Sequence, residues 1–385
     1  MGLAPLEGNA VRKTEFRNSK LETSLNSKTP IFEFVSNFLT SVVLLTKGVE
    51  FRVSSFVWLA ALFIPVAAFA SVDLSSNRAT VFIVVGAPGE AEFGSNFMHQ
   101  ASLWQKACDQ ANLHQITIGL NAPARTNDYE DLKQAFLLEP REGTAELYII
   151  LIGHGTFDGK EARFNLRGPD VSATELANWL QPFQRPLALI DTSSSSAPFL
   201  NKLSGTNRVI ITATRSGNEQ NLTRFGRYFA EAITNPDADL DKDGQVSLLE
   251  AFIIASRRTT EFYKVEGRIA TEHALIDDNG DGLGTQADWF RGLRAIKAPK
   301  DKAAVDGALA QQFHLLRSEA ENRLTDEQRK KRDEIEHAVL KHRENKGKMP
   351  EDAYYRDLEK MLLELARLYA TNSASTNSSS TSTTQ

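Results

Sequence analysis

The sequence predicts an α/β fold with a mostly parallel sheet covered by helices, and three observations carry that reading. Apolar runs with strand character recur at Val81-Phe82-Ile83-Val84-Val85, Tyr148-Ile149-Ile150-Leu151-Ile152, Leu187-Ala188-Leu189-Ile190 and Val209-Ile210-Ile211. The runs are continuous rather than alternating, as strands buried on both faces require. Stretches with helical spacing separate them, which is the rhythm of strands joined by helical crossovers.

Taken in order, residues 79–86 form the first predicted strand, broken by Gly86-Ala87-Pro88-Gly89. That turn is not a phosphate loop, because no Gly-Lys-Ser/Thr follows it. A helix is predicted over 96–112, a strand over 114–120, a helix over 129–138 and a strand over 147–152. Ser172 with Glu175 at the N3 position makes a capping box that opens another helix. The Pro186 and Arg208 strands come next, and then a helix through Phe225 to Ile233.

Two strand ends carry chemistry. Ile152 is followed by Gly153-His154-Gly155, and Ile190 by Asp191-Thr192-Ser193-Ser194-Ser195-Ser196. In open α/β sheets the residues just past the carboxyl ends of the strands line the crevice where ligands bind. An imidazole and a run of hydroxyls are therefore expected to face each other at one edge of the sheet.

Strand-His-Gly followed by strand-Asp-Thr resembles the caspase and legumain group of cysteine peptidases, the legumain-type branch above all, over residues 79–296. The resemblance implies a caspase-like sheet in which His154 is the catalytic histidine and Gly155 lends its N–H to an oxyanion hole. It also implies that the nucleophile follows an acidic and a small residue, which falls on Ser193. Counting back from Phe199 falls instead on Ser194, and the register between the two stays open. The chain departs from the family here, since its only cysteine is Cys108, in a helix-patterned stretch far from either strand end. Cys108 reads as a small buried apolar residue.

A thiol ionises near ~8.5, whereas a serine hydroxyl must hand its proton to a base as it attacks. A serine in the cysteine's place needs an imidazole within hydrogen-bond reach and a carboxylate to orient it. Asp158 follows His154 closely, but Asp158-Gly159 is first a turn signal. The expectation is a fold that is kept and a peptidase activity that is lost or very slow, in a module that binds a peptide or protein. The alternative is a hydrolase that uses Ser193 or Ser194 with His154.

A second chemistry follows the sheet. Asp239-Leu240-Asp241-Lys242-Asp243-Gly244-Gln245-Val246-Ser247-Leu248-Leu249-Glu250 matches the EF-hand loop at each diagnostic position. Asp239, Asp241 and Asp243 supply carboxylates, Gly244 the sharp turn, Gln245 a backbone carbonyl, and Glu250 a bidentate closing carboxylate. Hard oxygen donors at this spacing suit Ca²⁺ in a structural role. A weaker copy runs from Asp277 through Asn279 and Asp281 to Asp288, with Gly284 where an apolar residue belongs and a short Asp where Glu should close the site. Weaker binding, or none, is expected there.

With 44 basic and 49 acidic residues the net charge is −5, which excludes a general nucleic-acid binder. Residues 1–70 read as a leader. The uncharged run 53–72, preceded by Arg52 and holding Ala68-Phe69-Ala70-Ser71, predicts export by a signal peptide cut after Ala70, with a membrane anchor as the alternative. Residues 303–370 predict a helical arm. Leu309, Phe313, Leu316, Ala320 and Leu324 form one stripe, Thr325 with Gln328 a capping box, and Leu358, Met361, Leu362, Leu365 and Leu368 a last face. The arm is expected to pack as a hairpin rather than as a dimerising coiled coil, since its repeats are short. Residues 371–385 are Ser/Thr-rich and too poor in apolar side chains to fold.

Overall fold

β-Branched and apolar residues that stand both faces of a strand against packed helices have one way to satisfy their backbone, a central parallel ladder. The computed structural model describes residues 78–120, 127–297 and 305–377, the last seven of these as backbone only. In chain order the elements are β1 (Thr80–Val85), α1 (Ala91–Gln110), β2 (His114–Ile118), α2 (Asp128–Leu138), β3 (Leu147–Ile152), β4 (Gly155–Phe157), β5 (Ala162–Phe164) and β6 (Val171–Ser172). Then come α3 (Ala173–Leu180), β7 (Leu187–Asp191), α4 (Ala197–Leu203), β8 (Arg208–Thr212), α5 (Phe225–Ile233), α6 (Leu248–Val265), β9 (Leu275–Asp277), β10 (Phe290–Arg291) and β11 (Arg294–Ala295). The chain ends in α7 (Glu319–Asn322), α8 (Asp326–Arg343) and α9 (Glu351–Asn377).

The main sheet has six strands in the order β2-β1-β3-β7-β8-β9. Its first five run parallel, and β9 closes the edge antiparallel to β8. This is the mixed α/β architecture that the sequence predicts. Alternate strand residues divide between two cores. Val81, Ile83, Ile150, Ile152 and Ile190 pack with α1, α5 and α6, while Phe82, Val84, Ile149, Leu151 and Leu189 pack with α2, α3 and α4. The period of two along each strand makes that division.

Because β1, β3, β7 and β8 run parallel, the segments that follow them gather at one edge of the sheet. The opposite edge is tied by Arg185, whose guanidinium pairs with Glu139 at 2.7 Å and also donates to the carbonyls of Ala145 and Glu146. Both capping boxes form: Ser172 with Glu175 opens α3, and Thr325 with Gln328 opens α8.

The structure corrects three expectations. The first helix begins at Ala91 rather than at residue 96. The stripe from Leu309 to Leu324 is not one helix: after a 3₁₀ turn at Ala310–Gln312 the chain runs extended, with Phe313 accepting from the Leu248 N–H at 3.0 Å and His314 bridging Ser247. Gly307 at φ +115° starts this strap in a conformation that no helix continues, and the α6 entrance supplies the backbone partners that a helix would have supplied internally. Finally, α9 extends to Asn377, into the Ser/Thr-rich tail expected to stay unfolded; residues 378–385 lie outside the described residues. In the arm α9 folds back beside α8, with the His342 and Tyr354 rings stacked at 4.7 Å. The leader, with its run 53–72, also lies outside the described residues. Among the described residues no helix is long and apolar enough to cross a membrane.

Candidate functional site

β3 stays apolar through Ile152, and the chain then turns through Gly153, where a Cβ would stand 3.0 Å from the Phe164 ring. That close packing delivers His154 to the edge of the sheet. The half-buried imidazole lies against Phe93 and Phe97 of α1, edge to face, with ring centroids 5.0 Å away in each case. Among the described residues its ring makes no hydrogen bond.

Gly155 meets the serine run. Its N–H donates to Ser194 Oγ at 3.1 Å, and that hydroxyl donates to the Gly155 carbonyl at 3.0 Å. A Cβ on Gly155 would sit 2.1 Å from the Ser194 carbonyl oxygen and 2.9 Å from Ser193 Oγ. The two strand ends paired by sequence are thus in contact, and only glycine fits between them. The N–H that the family resemblance assigns to an oxyanion hole is held by a serine hydroxyl.

Asp191, the last residue of β7, organises the next turn. Its Oδ1 accepts the Ser193 N–H at 3.0 Å and the Ser193 hydroxyl at 2.6 Å, while Oδ2 has no partner among the described residues. Burial pushes the Asp191 carboxyl up to about 6, against the two Ser193 bonds that pull it down. Ser195 then adopts a left-handed conformation at φ +56° and donates its N–H to the Glu219 carbonyl. Ser196 binds Thr214 at 3.1 Å. The relative exposures of Ser193, Ser194, Ser195 and Ser196 are 0%, 3%, 1% and 0%, so the run is a packed turn and not an open nucleophile loop.

A further segment closes over this edge. The Glu219 carboxylate accepts from the N–H of Arg215 and of His273 and pairs with His273 Nδ1 at 2.6 Å, while Gly217 packs flat on the Phe157 ring. Asp158, the conceivable orienter of His154, instead caps its own turn by accepting from Lys160 and Glu161, and these bonds, with Arg163, hold it down at about 2. Cys108 is fully buried, and burial pushes its thiol up to about 12. Asp191, Glu219 and His273 were not singled out from sequence. Only Asp191 left a signal there, as a charge ending an apolar strand.

The first acidic loop draws three of its carboxylates together. Lys242 at φ +65° and Gly244 at φ +87° turn the chain so that oxygens of Asp239, Asp241 and Asp243 lie within 4.8 Å of one another. Asp239 accepts from the N–H groups of Lys242 and Gly244, Asp241 from Asp243, and Asp243 from Gln245. Glu250 Oε1 accepts from Leu240 and Asp241, and Oε2 from the N–H and hydroxyl of Ser247. Partial burial, then the charges of Asp243 and Glu250, push the Asp241 carboxyl up to about 6. Converging carboxylates of this kind fit a hard divalent cation.

The second loop repeats that pattern bond for bond, save at its close. Asp277 accepts from Gly280 and Gly282, Asn279 from Asp281, and Asp281 from Leu283. Asp288, the expected closing residue, instead faces outward and pairs with Lys297 at 2.5 Å. The carboxylate that accepts the bonds corresponding to those of Glu250 belongs to Asp306. Its Oδ1 accepts from Asp278 and Asn279 and its Oδ2 from the Thr285 hydroxyl, as Glu250 does from Leu240, Asp241 and Ser247 in the first loop. Burial pushes Asp306 up to about 7. No local spacing rule finds Asp306, because it arrives from beyond the loop.

No protein-family model matches this sequence, and no curated protein matches it. Among solved structures the chain is similar to the Drosophila initiator caspase Dronc, at 12% identity over 63% of this chain and 94% of that one, with a TM-score of 0.35. It is also similar to caspase-1 from Spodoptera frugiperda, at 8% identity over 53% of this chain and 86% of that one, with a TM-score of 0.32. Likeness at this level transfers no residue's role.

Proposed function

We propose that this chain is an exported caspase/legumain-like peptidase homologue that is inactive, or severely impaired, as a peptidase and serves as a calcium-stabilised module binding a peptide or protein. One observation carries the reading. The Ser193 hydroxyl is fully buried and donates a hydrogen bond to Asp191, and the Gly155 N–H is taken by Ser194, so among the described residues neither of these groups is free to serve beside His154 as nucleophile or oxyanion donor. Serine attack needs both. The carboxyl ends of β3 and β7 remain the edge where such sheets take ligands, and an extended peptide is the ligand class for a homologue of peptidases.

The calcium part rests on the donor chemistry of Asp239, Asp241, Asp243, Glu250 and the Gln245 carbonyl in the first loop, and of Asp277, Asn279, Asp281 and Asp306 in the second. Export rests on the uncharged run 53–72 and the Ala68-Phe69-Ala70 site. A fluorophosphonate probe on purified protein tests the main claim. No labelling of Ser193 or Ser194 is expected; labelling abolished by Ser193→Ala or Ser194→Ala makes the chain a working hydrolase. Selection from a peptide library then identifies the bound sequence.

A further inference from the structure

The strap at residues 305–318 is fastened at both ends to the two acidic loops. At its start, Asp306 accepts from Asp278 and Asn279 at 3.0 and 3.3 Å and from the Thr285 hydroxyl at 2.5 Å. In return, Asp278 accepts the N–H of Gly307 at 2.8 Å and of Ala310 at 2.7 Å. At its end, Ser318 donates its N–H to Gln245 Oε1 at 3.1 Å, and His314 bridges Ser247. Between these points Ala310, Phe313 and Leu315 enter the core that holds α6. The strap then becomes α7, so it is the covalent link between the arm α7–α9 and the sheet domain, which α8 also touches where Asp326 accepts from the Thr144 hydroxyl at 3.1 Å.

Each of these fastenings is made by a residue inside a loop; apart from them, Arg317 ties the strap to Glu146, just before β3. Asp278, Asn279 and Thr285 lie within the second, Gln245 and Ser247 within the first. An ion held by either loop fixes the backbone that presents these groups. Without an ion, carboxylates of one sign crowd each end of the strap: Asp239, Asp241, Asp243 and Glu250 in the first loop, and Asp277 and Asp278 of the second against the strap's own Asp306. A ligand that favours one arrangement of the chain shifts the population toward it, and the favoured arrangement raises the ligand's affinity by the same factor.

Resting on the calcium reading above, we infer that the strap is a calcium-dependent clasp: Ca²⁺ in the loops holds residues 305–318 and the arm behind them on the sheet domain, and chelation releases them. The arm is then an element that moves with calcium supply while the sheet stays folded.

Hydrogen exchange on the purified full chain, with Ca²⁺ and with a chelator, tests this alongside calorimetric titration of the same sample. Chelation is expected to speed exchange in residues 305–343 by about tenfold or more, while strands 147–152 and 187–191 stay protected. Leu315→Ala, which carries no loop ligand, is expected to loosen the strap in Ca²⁺ and, by reciprocity, to weaken calcium binding several-fold with those strands still protected. Calcium uptake seen by calorimetry with unchanged strap exchange overturns the clasp and leaves the calcium reading standing. Absence of any calcium heat overturns both. Loss of protection in strands and strap together shows global unfolding and overturns the clasp.

Discussion

The Ser193 hydroxyl donates to Oδ1 of Asp191 at 2.6 Å, at a point where neither side chain meets solvent. In a serine hydrolase the equivalent proton points to an imidazole. Here it points to a carboxylate whose second oxygen has no partner among the described residues, and His154 stands apart with two phenylalanine rings for neighbours.

Asp191 gives the fold a pH dependence of definite sign. Burial raises its folded-state pKa from 3.8 to about 6, so between those values the folded chain holds a proton that the unfolded chain has released. Its contribution to stability is fully present below about 3.8 and is lost as pH rises through about 6, a change on the order of 3 kcal/mol. Asp191→Asn keeps an acceptor for Ser193 and does not titrate. Denaturant unfolding is expected to show the stability of D191N relative to wild type rising from pH 4.5 to pH 7.5, and a difference constant with pH contradicts the burial argument.

Ser194 is expected to matter for folding and not for turnover. Its hydroxyl is the partner of both the N–H and the carbonyl of Gly155 in a buried setting. Ser194→Ala orphans both groups and is expected to cost about 1–3 kcal/mol in chemical denaturation, with peptide hydrolysis unchanged from background. A loss of measurable hydrolysis would give Ser194 the role of a nucleophile.

Much of this site was legible in the sequence because its determinants are local. The runs ending at Ile152 and Ile190 fix two parallel strands, and parallel strands bring their ends to one edge, so His154-Gly155 and Ser193-Ser194 had to be neighbours. What the serines do there was not legible. Ser194 reaches Gly155 and Ser193 reaches Asp191 through a turn whose left-handed Ser195 leaves no pattern in composition. The strap misled for a related reason: Leu309, Phe313 and Leu316 have helical spacing, yet Gly307 and the free backbone groups at the α6 entrance favour an extended path.

In the first loop, Asp241 separates cation binding from apo stability. Its carboxyl is raised by partial burial and by repulsion from Asp243 and Glu250, so Asp241→Asn removes a strained charge together with one of the proposed calcium ligands. The melting temperature of wild type is expected to rise with Ca²⁺, by the equivalent of about 2.7 kcal/mol at a hundredfold excess over Kd. D241N should lose most of that gain while matching or exceeding wild type in chelator. Glu250→Ala should fare worse even without calcium, because Glu250 also closes the capping box with Ser247.

The second loop turns on Asp306 against Asp288. Asp288 makes an exposed ion pair with Lys297, a contact of about 0–1 kcal/mol at most, so Asp288→Asn is expected to leave thermal stability and calcium titration near wild type. Asp306 accepts from the buried N–H of Asp278, the part-buried N–H of Asn279 and the Thr285 hydroxyl. Asp306→Ala leaves all three unsatisfied and is expected to cost at least about 1–3 kcal/mol in chelator, and in calcium to lose any binding step that the second loop contributes. Asp306→Asn, which keeps an acceptor oxygen and sheds a raised carboxyl, should recover much of the apo stability but not the binding step. If D288N abolished that step while D306N left it intact, closure of the loop would belong to Asp288, as local spacing predicts, and the long-range substitution would be wrong.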